Sequence, residues 1–300
     1  MTRAGFVGVA GRPNVGKSTL ANAIVGAKVA IVSDRPQTTR RAVRGIATDV
    51  AAEWQLVIVD LPGVQRPRDS LTERMQRRVE RELGDADVAL LVVNGEQGVG
   101  PGDRFIARNL LTAQPDGARI PILCAVNKCD RIKRGATAAA LTAAAELDGV
   151  EEVFPISART GAGLDPLVEA IVARVPDGPF PYPPESRSDQ PSEIHLAELI
   201  REQALKRTRD EVPHAVEVSV AEVAERPDGL IEVRAQIWVE AESQKGILVG
   251  SGGRMIREIG TAARRELERE LGARVYLDLR VRLRQRWRRD EGLLDRLGID

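Results

Sequence analysis

Cysteine, histidine, lysine and aromatic side chains are all sparse in this chain of 300 residues, and each scarcity closes off a class of function. The two cysteines, Cys124 and Cys129, fall in or beside one apolar run without C-x-x-C spacing. That pattern argues against a disulfide framework or a thiolate metal centre, and for small buried residues in a reducing compartment. The two histidines, His195 and His214, stand alone, so neither is read as a general base or a metal ligand. No run of about eighteen apolar residues occurs, and the N-terminus has no charged lead followed by a long apolar stretch, so neither a membrane span nor a signal peptide is expected. The expected compartment is the cytoplasm. The 44 basic and 44 acidic residues cancel, so net charge names no partner and the distribution of charge matters more. What the chain does have is 43% hydrophobic residues, enough for the cores of one large domain or two ordinary ones.

From Gly5 to about Val175 short apolar strands alternate with helical patterns. The strands are read at Phe6–Ala10, Val43–Asp49, Gln55–Asp60, Val88–Val93, Ile122–Asn127 and Val153–Ile156. The helices are read at Lys17–Val25, Leu71–Leu83, Asp103–Leu111, Thr137–Leu147 and Leu164–Val175. This alternation predicts an α/β fold, a mostly parallel doubly wound sheet whose ligands bind at the C-terminal strand ends. Between the first strand and first helix lies Gly11-Arg12-Pro13-Asn14-Val15-Gly16-Lys17-Ser18-Thr19, which fits G-x-x-x-x-G-K-[ST] in the strand–turn–helix context a P-loop requires. Asn14 to Thr19 would cradle phosphates with backbone N–H groups, Lys17 would add a charge at the β- and γ-phosphates, and Ser18 would offer a hydroxyl to Mg²⁺.

Three further strand ends carry polar motifs. Asp60-Leu61-Pro62-Gly63 would place a carboxylate near Mg²⁺ and the Gly63 N–H near the γ-phosphate. Asn127-Lys128-Cys129-Asp130 and Ser157-Ala158-Arg159 decide the base. Guanine presents adjacent N1–H and N2–H₂ donors that one carboxylate accepts together, whereas adenine does not, so Asp130 is read as the guanine reader and the Ala158 N–H as a donor to O6.

The order GRPNVGKS, QTTR, DLPG, NKCD and SAR resembles a translation-factor-type bacterial GTPase, and GRPNVGKST with QTTR resembles the Era family in particular. The resemblance implies GTP and GDP as ligands and Mg²⁺ held by Ser18, Asp60 and one of Thr38 and Thr39, assigned to Thr39. It makes Lys17, Thr39 and Gly63 the expected catalytic set, and Ser33–Arg41 and Asp60 to about Arg78 the segments that order around the γ-phosphate. One departure stands out. The residue after D-x-x-G is Val64, where well-known small GTPases carry a water-orienting glutamine. Slow intrinsic hydrolysis is expected, and related enzymes with an apolar residue here hold K⁺ through the P-loop asparagine, here Asn14.

Six prolines fall between Pro176 and Pro191, a run that cannot supply helix or central-strand hydrogen bonds and reads as a semi-rigid spacer. The chain therefore divides into a nucleotide domain (1–175), a linker (176–191) and a C-terminal domain (192–300). The last is read as helix Glu193–Arg207, strands Ala215–Val223 and Leu230–Val239, helix Gln244–Val249, the turn Gly250-Ser251-Gly252-Gly253, helix Met255–Leu271, strand Arg274–Arg286 and a short helical tail. This α-β-β-α-α-β order with G-x-x-G between the last two helices resembles a smaller α+β type II KH domain, whose loop clamps about four nucleotides of single-stranded RNA. Ser251 and Gly252 occupy loop positions where many KH domains carry lysine, but Arg254 and Arg257 follow at once.

Charge concentrates in the same region: Gln244 to Arg289 holds thirteen Lys or Arg against five acids. Period-two alternation in the last strand sends Arg280, Arg282, Arg284 and Arg286 to one face, the footprint of phosphate binding. Tyr276 and Trp287 are the nearby stacking candidates. By the Era resemblance the partners are small-subunit (30S-type) ribosomal RNA and subunit, with a monomeric protein acting in subunit maturation. GTP would make the G-x-x-G groove available and GDP would mask it. A rival reading is a signalling GTPase whose arginines dock a protein or an anionic membrane, which leaves open peripheral association at the inner face of the cell membrane.

Overall fold

The computed structural model describes residues 1–35, 38–63, 68–112 and 119–299. Its contacts divide them into two units, the first holding Met1–Ala30, 38–63 and Thr72–Asp189, the second 31–35, 68–71 and the chain from Gln190 onward.

The first unit contains, in order, β1 (Arg3–Ala10), α1 (Lys17–Val25), β2 (Val43–Asp49), β3 (Trp54–Asp60), α2 (Ser70–Gly84), β4 (Val88–Asn94), α3 (Pro101–Thr112), β5 (Ile122–Asn127), α4 (Arg134–Ala145), β6 (Val150–Pro155) and α5 (Leu164–Val172). The sheet order is β2-β3-β1-β4-β5-β6, parallel except where β2 pairs antiparallel with β3. Every residue of β4 and of β5 is buried, because helices cover both faces and an apolar run with no polar alternation is stable only there. One core, with Leu20, Ile58, Leu90 and Leu167, lies on the α1/α5 side, and a second, with Leu83, Leu91, Leu110 and Val126, on the other.

The two sheet edges are closed differently. At β6, Glu151 and Glu152 face outward and both pair with Arg174, at 3.0 and 2.5 Å. At β2 the proline-rich segment is no free-standing spacer: it is bonded along the unit. Ile46 N–H donates to Arg187 O (2.8 Å), Ser188 Oγ to Arg44 O (2.8 Å), and buried Gln55 exchanges two 2.9 Å bonds with the backbone of Tyr182. Proline removes donors but leaves carbonyls, so a run unable to join a central strand can still bind a sheet edge.

The second unit contains α6 (Ser192–Arg207), α7 (Val212–Ala215), β7 (Glu217–Glu225), β8 (Ile231–Val239), α8 (Glu242–Val249), α9 (Arg254–Leu271), β9 (Val275–Leu283) and α10 (Glu291–Arg296). β8 is central, antiparallel to β7 and parallel to β9, and α6 and α9 bury Leu199, Ile200, Ile259, Ala263 and Leu267 against the sheet with Val233 and Ile237. The last strand stops at Leu283, three residues short of the sequence reading. Arg286 adopts a left-handed backbone (φ 54°), which turns the chain so that Trp287 buries completely and donates to Ala215 O at 2.8 Å. Trp287 is therefore a core residue and is removed from the stacking candidates.

Candidate functional site

In the first unit the polar motifs converge because β1, β3, β5 and β6 are aligned by their ladders, which set Val9 beside Asp60 and Asn94 beside Asn127. Gly16 begins α1 with a left-handed backbone (φ 103°), and a β-carbon there would stand 2.3 Å from Asn127 Nδ2, so glycine is required by both conformation and space. Asn127 donates to Val15 O (2.9 Å) and accepts from Lys128 N–H (2.7 Å) and Ala158 N–H (2.9 Å), joining the P-loop to both the Asn127–Asp130 and the Ser157–Arg159 motifs. The Ala158 N–H, read as a donor to guanine O6, is thus engaged by Asn127 in this structure. Lys128, left-handed itself (φ 67°), reaches Asn14 O at 2.9 Å. Asp130 accepts from Ser157 Oγ (2.8 Å) and Arg159 (2.7 Å). The Ser157 hydroxyl first, then Arg159, hold its carboxyl below the usual carboxylate range, so it is an anionic acceptor, the form that a pair of N–H donors requires.

At the phosphate end, buried Lys17 donates to Gly11 O (3.0 Å) and Arg12 O (3.1 Å). Burial pulls its ammonium down to about 8, against an upward pull from Asp60. Asp60 Oδ2 accepts from Ser18 Oγ (2.6 Å) and Thr39 Oγ1 (3.2 Å), and those hydroxyls lie 3.1 Å apart. Burial pushes the Asp60 carboxyl up, opposed by Lys17, Ser18 and Thr39. Its other oxygen, Oδ1, is buried and has no hydrogen-bond partner among the described residues. An orphaned carboxylate oxygen beside two hydroxyls is a hard-oxygen set that suits Mg²⁺, which takes one or two carboxylates and completes its shell with phosphate and water. No group of three His, Cys, Asp or Glu among the described residues could hold a metal alone. Gly63 lies against the P-loop, a β-carbon there falling 3.0 Å from Pro13 Cγ. Val64 lies outside the described residues.

Sequence reasoning missed one element of this site. Arg12, a variable position of the P-loop motif, donates to fully buried Asp103 at 2.9 Å, whose other oxygen accepts from Gly100 N–H at 2.8 Å. Since the Arg12 carbonyl also receives Lys17, the start of α3 anchors the loop that holds the lysine. A partner 91 residues away leaves no local signal. The buried Cys124 thiol is pushed up to about 12 by burial and is chemically inert.

In the second unit, Gly252 and Gly253 are left-handed (φ 59° and 75°) and hand the chain into α9. Arg257 folds back on this loop, donating to Gly253 O (3.2 Å) and Gly252 O. A groove of about 650 Å³ runs from Ser251 and Gly252 past Arg254 and Arg257 to Arg207 and Arg265. The β9 arginines lie apart from it. Arg280, paired with Asp278 at 2.7 Å, lines a separate depression of about 510 Å³ with half-exposed Tyr276, whose ring carries Arg226 at 5.6 Å. Arg282 is exposed on the same strand, while Arg284 is engaged by Asp290.

These features match known proteins over the whole chain. Residues 6–128 match the family described as 50S ribosome-binding GTPase, and residues 211–288 match the KH domain family. GTPase Era of Mycobacterium sp. (strain KMS) is 46% identical over 300 residues, covering 99% of each chain. That of Mycobacterium tuberculosis (strain ATCC 25177 / H37Ra) is 46% identical over 298 residues, covering 98% of each. Two solved structures superpose with TM-scores of 0.93. One is a variant of Aquifex aeolicus Era bound to GDP·AlF4⁻, 33% identical with 99% of each chain covered. The other is Era with MgGDPNP and nucleotides 1506–1542 of 16S ribosomal RNA, 34% identical, covering 100% of this chain and 99% of that one. With a P-loop wired to the Asn127-Lys128-Cys129-Asp130 motif, a G-x-x-G domain after it in sequence, and this likeness from end to end, the chain belongs to the Era family of GTPases.

Proposed function

We propose that this protein is a GTP-driven switch, monomeric and cytoplasmic, that binds the single-stranded 3′ end of small-subunit ribosomal RNA during maturation of that subunit. The observation that carries the reading is that one chain holds both chemistries. Asp130, kept anionic by Ser157 and Arg159, is the acceptor that guanine's paired N–H donors call for, and the G-x-x-G loop is followed at once by Arg254 and Arg257 beside it. The Era structure solved with MgGDPNP and 16S RNA supports both ligands.

Within the nucleotide site Lys17 leaves its carbonyl partners for the β- and γ-phosphates, and Gly63 presents its N–H to the γ-phosphate. Ser18, Thr39 and Asp60 would hold Mg²⁺, which when bound would supply charge neutralisation of the phosphates. With valine at position 64, water positioning falls to backbone groups; Asn14, whose backbone is left-handed (φ 62°), is the residue that would hold K⁺, which would supply positive charge beside the phosphates. Turnover should be faster in potassium than in sodium, with Asn14→Ala removing the difference; equal rates in both salts overturn the potassium assignment.

Fluorescence anisotropy with a 3′-tail RNA, in GDP and in a non-hydrolysable GTP analogue, tests the whole reading against a scrambled RNA. Tighter, sequence-selective binding with the analogue, lost in Gly253→Asp, is expected. Weak binding indifferent to sequence and nucleotide overturns it.

A further inference from the structure

We propose that the groove between the end of α6 and the outer face of α9 is a second phosphate-binding subsite, which takes the RNA backbone where it leaves the G-x-x-G clamp. The inference rests on the RNA-binding reading above and adds a site to it.

Arg254, Glu258, Thr261, Ala262 and Arg265 recur at spacings of three and four, so they share one face of α9. From Arg254 to Arg265 the helix rises by about 16 Å, so Arg265 stands three turns away from the loop that Arg254 follows. Arg207, on the last turn of α6, faces the same groove. Its partner is neutral: Nη1 donates to Gln203 O (3.1 Å) and Gln203 Oε1 (3.0 Å). Arg265 is exposed and makes no side-chain ion pair among the described residues. Its neighbours Arg264 and Arg269 are matched with Glu268 and Glu266.

Two guanidinium groups without an acid line the groove together with Thr261 and Ala262, whose small side chains let a sugar–phosphate chain approach. Glu258, the one acid in the lining, is drawn toward Arg254 at 3.8 Å. Arg257 does different work: it donates to the carbonyls of Gly252 and Gly253, so it braces the loop itself. Arg207 and Arg265 sit beyond that loop, and single-stranded backbone is the polyanion already delivered to the groove's open end.

The test is binding of the full chain, with the GTP analogue present, to two RNAs sharing the clamp sequence. One has about six nucleotides, and the other is extended at both ends to about sixteen. The double variant R207Q/R265Q should bind the short RNA as the parent does and the long RNA about tenfold more weakly. Its salt slope for the long RNA should be smaller by about 1.4, the loss of two single-strand phosphate contacts. Equal affinity of parent and variant for the long RNA, or an equal loss for both lengths, overturns the subsite. Failure of the parent to bind even the short RNA overturns the RNA-binding reading itself. An acidic peptide that competes with the long RNA as well as its own extension does would replace RNA as the occupant.

Discussion

The junction between Gly16 and Asn127 offers the sharpest quantitative test of the nucleotide site. Replacing Asn127 with alanine removes one donated and two accepted hydrogen bonds in a buried place. At about 1 kcal/mol each the loss is about 3 kcal/mol, a decrease of about a hundredfold in GDP affinity. Gly16→Ala acts on the same junction from the other side. The left-handed backbone costs alanine about 1 kcal/mol, and its methyl, 2.3 Å from Asn127 Nδ2, expels the amide and forfeits about 2 kcal/mol of the same bonds. In the Asn127→Ala background the methyl meets no amide, so only the backbone cost remains. The double variant should therefore lose about 4 kcal/mol, leaving a coupling of about 2 kcal/mol. Titration of a fluorescent GDP analogue against parent, both singles and the double closes the cycle. Additivity within about 0.5 kcal/mol refutes the claim that Asn127 is the shared strut.

Asp130→Asn turns an acceptor of two N–H donors into a mixed donor and acceptor, and should shift preference from guanine toward xanthine nucleotides; unchanged GTP binding refutes the assignment. Because hydrogen bonds from Ser157 and Arg159 depress the Asp130 pKa, its contribution is complete above the ordinary aspartate range and is lost only as pH falls through the lower folded value. Ser157→Ala should therefore make GDP affinity decline at higher pH on acid titration, and superimposable profiles would refute it. Gln55→Ala cuts both bonds to Tyr182 and should speed cleavage between residues 176 and 189 in limited proteolysis; an unchanged rate shows that the other bonds suffice. Trp287→Ala should destabilise the second unit by about 3–5 kcal/mol, read as a lowered unfolding midpoint.

Local chemistry was legible where it repeats or alternates. The fully apolar β4 and β5 announced a sheet covered on both faces, and the strand-end motifs announced which polar side chains would gather at one end of that sheet. Long-range partnership was not. Arg12 reads as a free variable position until Asp103 is seen beneath it. Arg207 lies more than forty residues before the G-x-x-G turn, and only the packing of α6 on α9 brings it to the groove. Trp287 looks the same in sequence whether it stacks on a base or fills a core. The proline run announced that it would form no helix, but nothing in it named the sheet edge that its carbonyls reach.

That edge carries a consequence for how the protein is made. β2 is complete once residue 49 has left the ribosome, but its open side is covered only when Arg187 and Ser188 arrive. For most of the synthesis of the nucleotide unit an unpaired strand is available to any neighbouring chain. A fragment ended at residue 175 would keep every helix and strand of that unit and still carry this exposed strand, so it should self-associate where a fragment ended at 189 stays dispersed.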